Sequence, residues 1–69
     1  MPLTFADIGE ENIIKQLSGS PETKKHLESL GFVPGTGILL LSSMGGDLIV
    51  KLRESRIAIS REMAHKIMI

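Results

Sequence analysis

The chain has no cysteine, no tryptophan and no tyrosine, and its 69 residues include only two phenylalanines, Phe5 and Phe32. Without cysteine there is no disulfide, no thiolate metal site and no thiol nucleophile. With aromatics at 3% of the chain, there are too few rings for the stacking platforms that hold single-stranded nucleic acids. They also cannot line the aromatic groove that docks proline-rich helices. Eight basic and eight acidic side chains cancel to a net charge of zero, so no basic field marks a nucleic-acid surface, and we expect no nucleic-acid partner. No apolar run approaches the roughly 20 residues that span a bilayer. Met1-Pro2-Leu3-Thr4-Phe5-Ala6-Asp7 lacks the basic and long apolar regions of a secretion signal. These absences describe a soluble cytoplasmic domain that is not itself embedded in a membrane.

What is present is aliphatic. Hydrophobic residues make up 42% of the chain, enough for the single modest core that one small domain over residues 1–69 can build. With no covalent staple, that packing must supply the stability, and homo-oligomer formation would add to it.

The most specific local signal is Leu27-Glu28-Ser29-Leu30-Gly31-Phe32-Val33-Pro34-Gly35. Gly31 follows the last apolar residue of a helical pattern, where a left-handed residue caps a helix. Pro34-Gly35 provides the fixed φ and the positive φ of a type II turn. Upstream, Ser20-Pro21-Glu22 starts that helix with a capping hydroxyl, a first-turn proline and a carboxylate at the positive end of the dipole. Leu27 and Leu30 are expected on its buried stripe.

Asp7–Asn12 reads as a loop and Ile13–Ser18 as a first strand. Further strands are expected at Ile38–Ser43, Leu48–Leu52 and Arg56–Ile59, with a closing strand at Lys66–Ile69. Met44-Gly45-Gly46-Asp47 and Arg53-Glu54-Ser55 supply the turns between them. Leu48, Val50 and Leu52 alternate with Ile49 and Lys51, so one face is apolar. Ser60 caps a single helical turn through Ala64. The pattern predicts a mainly β fold: a small barrel with one main α-helix and a short C-terminal helical turn. Closure would remove unpaired edges. A split α+β sandwich is the alternative.

Catalysis has little to work with. His26 and His65 both fall on helical turns, away from any nucleophile motif. Gly45-Gly46 lacks the following lysine and hydroxyl of a phosphate loop. Glu22 and His26 are four apart, and Glu62 and His65 three apart, so each pair can share a helix face and offer Fe²⁺ or another divalent metal its ligands. Such pairs also arise by chance on solvated helices. A site would need both pairs to converge, or residues from a second subunit. No cofactor is otherwise implied.

Interaction with a protein has more support. Ile38-Leu39-Leu40-Leu41 cannot place four side chains inside one strand face. With Ile38 and Leu40 inward, Leu39 faces outward, and Leu41 follows if the strand bulges. Ile49 and Met68 would extend that patch into a partner-binding surface. The other reading is that the helix, or the segment around Phe5, covers it.

Leu3, Gly9, the Leu27–Gly35 stretch, then Ile38, Leu40 and Leu41 together resemble the FeoA family of ferrous iron transport accessory proteins. Ile57-Ala58-Ile59-Ser60-Arg61-Glu62-Met63-Ala64-His65-Lys66-Ile67 is similar to that family's final strand, helical turn and last strand. The resemblance implies an SH3-like barrel, a fold also found as a domain of metal-dependent repressors. It implies a non-enzymatic adaptor that binds the cytoplasmic region of a FeoB-type permease, and so sits peripherally at the inner face of the membrane. A stand-alone regulator-type domain acting through a protein partner is the other role it suggests. In the family motif a basic residue stands where His26 does here, and arginine where Ser60 does.

Overall fold

Two serines set where the helices begin. In the computed structural model, which describes residues 1–69, the Thr23 amide donates to Ser20 Oγ at 3.2 Å. Ser20 thereby caps α1 (Pro21–Ser29) by satisfying an amide that has no partner within the helix. Ser60 repeats the device at α2 (Arg61–Ala64), accepting from the Met63 amide at 3.2 Å. The far end of α1 closes as its sequence requires. Gly31 takes φ +105°, its amide donates to the Glu28 carbonyl at 3.0 Å, and the Phe32 amide reaches back to Leu27 at 3.0 Å. This bond pair is a Schellman motif, and it places Phe32 beside Leu27. Both side chains are fully buried.

Leu30 behaves differently from the expectation. It is 38% exposed, because the chain turns away at Gly31 and Phe32 takes the inward position. Leu27 is left as the only buried residue of α1. The Pro34-Gly35 turn is as expected: Gly35 has φ +94° and the Thr36 amide donates to the Val33 carbonyl at 3.0 Å.

The strands are β1 (Glu11–Ile13), β2 (Gln16–Leu17), β3 (Gly37–Met44), β4 (Asp47–Leu52), β5 (Ser55–Ser60) and β6 (Ile67–Met68). A short 3₁₀ turn at Leu3–Phe5 precedes them and buries Leu3. The first expected strand, Ile13–Ser18, is in fact two. β1 pairs with β3, whereas β2 pairs with β6. Between them the Ile14 amide bonds to Thr36 at 2.9 Å and the Lys15 amide to Met68 at 2.7 Å. The chain passes from one sheet to the other at this point, with Ile14 buried at the crossing. Glu11 and Asn12, expected in a loop, belong to β1 for the same reason.

The larger sheet runs β1-β3-β4-β5, all antiparallel. The fold is mainly β with two helices, as the pattern indicates, but hydrogen bonding does not close the barrel. β1 and β5 remain edges, and the second sheet, β2-β6, stands apart. The alternation in β4 holds: Leu48, Val50 and Leu52 are buried, while Ile49 is half-buried and Lys51 exposed. All 13 buried residues are apolar, so the core contains no ionisable group.

Candidate functional site

The β4–β5 hairpin turns through only two residues, Arg53 and Glu54, with Leu52 paired to Ser55. Two-residue hairpins need positive φ, which glycine or asparagine adopts most easily. Here Arg53 does it, at φ +57°, the only non-glycine residue with a positive φ. Its guanidinium makes no side-chain hydrogen bond, so the loop presents an unpartnered cation to solvent.

Opposite this hairpin lies the end of α1. The Schellman turn sets Gly31 beside the hairpin, so that a Cβ built on it would be in ordinary contact with Leu52 Cδ1 at 3.6 Å. On either side of Gly31, Leu30 and Val33 are exposed at 38% and 43%. A cleft of about 200 Å³ opens between the two elements, walled by Leu30 and Val33 on one side and Leu52, Arg53, Ser55 and Ile57 on the other. That volume is below the roughly 300–1,000 Å³ of small-molecule sites. It is the size of one or two aliphatic side chains.

The residues named from sequence lie elsewhere. Leu39, Leu41 and Ile49 are half-buried rather than open. Leu39 stands between Glu11 and Lys51, and Ile49 between Ser42 and Ala58. The register slips between Leu40 and Ser42, so Leu41 is the extra residue of a bulge and strict alternation ends there. Met68 lies in β6 of the other sheet, paired with Gln16. Gly31, Pro34 and Gly35 do the structural work expected of them.

Glu22, His26, Glu62 and His65 are all exposed, and no three His, Asp or Glu side chains come together in a group that could hold a metal. The two pairs therefore do not converge within one chain. His65 Nδ1 instead lies 3.3 Å from Thr4 Oγ1, with the Phe5 ring edge-on at a centroid distance of 6.5 Å. Sequence reasoning expected Leu30 to be buried, placed Arg53 in a turn and Ile57 in a strand, and named none of these, nor Val33, as part of a surface cleft. A hairpin turn without glycine was the available signal for Arg53.

The FeoA domain model matches residues 1–69. The chain is 35% identical over 68 residues to an Fe(2+) transport protein A of Methanocaldococcus jannaschii, covering 99% of this chain and 83% of that one. It superposes with a TM-score of 0.87 on the crystal structure of an iron uptake regulatory protein, FeoA, at 30% identity, covering 96% of this chain and 88% of the other. A zinc-complexed FeoA of Stenotrophomonas maltophilia, an SH3 domain protein, matches with a TM-score of 0.84 at 19% identity, covering 97% and 86%. That likeness shows the SH3-like fold.

Proposed function

The chain belongs to the FeoA family, and from that premise we propose that it is a non-enzymatic accessory protein of ferrous iron transport. It acts in the cytoplasm by binding the cytoplasmic region of a FeoB-type permease. The observation that carries this reading is the partly apolar cleft between the end of α1 and the β4–β5 hairpin. Leu30 and Val33 leave apolar surface beside a concavity, where a partner's aliphatic side chains would cover it. The non-enzymatic part of this reading rests on the family to which the chain belongs. Each histidine also lies exposed on a helical turn, without the oriented nucleophile and carboxylate that hydrolysis requires.

Titration of the chain against the purified cytoplasmic region of the cognate permease tests the reading. Wild type is expected to bind, and Val33→Glu to weaken binding about tenfold or more by placing a charge in the cleft. Leu39→Glu serves as the comparison for the half-buried face of β3. If wild type does not bind under native conditions, the adaptor reading falls.

A further inference from the structure

The cleft opens along a free sheet edge. β5 pairs with β4 and with no other strand. Because a two-residue loop joins them, Leu52 and Ser55 form the hydrogen-bonded closing pair, and Ile57 and Ile59 also bond inward to β4. Arg56 and Ala58 must then direct their backbone N–H and C=O groups away from the sheet. None of the turn and loop hydrogen bonds satisfies them.

Natural edges are blunted by bulges, prolines, lysines or short length. β5 has no bulge, proline or lysine: Ser55-Arg56-Ile57-Ala58-Ile59-Ser60 runs in unbroken register, with the single charge of Arg56 as its only guard. The opposite edge, β1, is only three residues long. A strand added to β5 would lie over the cleft that Ser55 and Ile57 help to line. Its side chains on the Ile57 face would point toward Leu30 and Val33. Farther along, at the hairpin end, the same face meets the unpartnered guanidinium of Arg53.

We propose that this chain recognises its partner by strand addition to β5. The partner would be an extended segment that places an aliphatic side chain in the Leu30–Val33–Ile57 cleft and a carboxylate on Arg53. Main-chain bonds to Arg56 and Ala58 would supply affinity, while the cleft and the cation supply specificity. The inference takes its partner from the adaptor reading above, but the surface can be tested without that partner.

A phage library of random decapeptides is panned on the full chain, and the enriched peptide is titrated into isotope-labelled protein. The expected consensus pairs an aliphatic with an acidic residue. Binding is expected to slow hydrogen exchange at the Arg56 and Ala58 amides. Arg53→Glu should weaken the peptide about tenfold or more. Ala58→Pro should abolish binding with little loss of fold, since proline is tolerated where an edge N–H faces solvent. The exchange measurement on wild type decides the matter if that variant does not fold. Binding without protection of those two amides overturns the inference, as does indifference to Arg53→Glu. Failure to enrich any peptide at this edge overturns it too, as does protection of both amides by self-association alone. If the peptide binds as described and the permease region does not, strand addition stands and the adaptor reading falls. If the permease region binds with both amides unprotected, the adaptor reading stands and strand addition falls.

Discussion

The Phe32 amide donates to the Leu27 carbonyl at 3.0 Å, and both side chains are completely excluded from water. One hydrogen bond thus couples the end of the helix to the hydrophobic core. It also leaves Leu30 outside, where it becomes a wall of the cleft.

That coupling depends on Gly31 at φ +105°. A Cβ there would touch only Leu52 Cδ1, at an ordinary 3.6 Å, so Gly31→Ala is penalised through its backbone rather than by a clash. We expect a loss of about 1–2 kcal/mol, seen as a lower midpoint in urea with an unchanged slope.

Leu27 is the single buried anchor of α1. Leu27→Ala should cost about 2–5 kcal/mol and release the helix before the sheet. Circular dichroism followed against temperature would show helical signal lost below the main transition. A single cooperative transition at the wild-type midpoint would contradict this.

The two serine caps are independent tests of local structure. Ser20→Ala and Ser60→Ala are each expected to destabilise by roughly 1 kcal/mol. The effects should add, because the caps serve different helices and share no hydrogen-bond partner. Equilibrium denaturation of both single variants and the double variant measures this.

Arg53 separates stability from binding. A two-residue hairpin with a positive φ only at its first loop residue is of type II′, which favours glycine there, so Arg53→Gly should raise stability by about 0.5–1 kcal/mol. The same change removes the cation of the cleft and should weaken partner binding. A variant both more stable and less active in the titration would show the strained residue to be kept for recognition.

Metal binding has a clear expectation too. With no convergent group of three ligands within one chain, ferrous iron should bind only in the millimolar range or more weakly. His26→Ala with His65→Ala should leave that affinity unchanged. Anaerobic calorimetry checks both. Tight binding that depends on the histidines and on protein concentration would indicate a site shared between subunits.

The capped helix, the Pro34-Gly35 turn and the alternation of Leu48, Val50 and Leu52 could be read directly, because each rests on contacts between near neighbours. The β1/β2 break could not. Ile13–Ser18 has the composition of one strand, and only its distant partners, Thr36 and Met68, divide it between two sheets. The exposure of Leu30 was hidden for a similar reason. Helical spacing places it near Leu27, but the Schellman bond hands the inward position to Phe32.

The sequence by itself determined the capped helices, the turns, the faces of β4 and the likeness to one family, since stereochemistry and side-chain period act locally. Tertiary structure decided which edges stay open, that the aliphatic surplus of β3 is half-covered, and where a cleft forms. Those outcomes depend on which distant backbone groups pair. The cleft between Val33 and Ile57 exists only because the end of α1 folds back beside a hairpin some twenty residues farther along the chain.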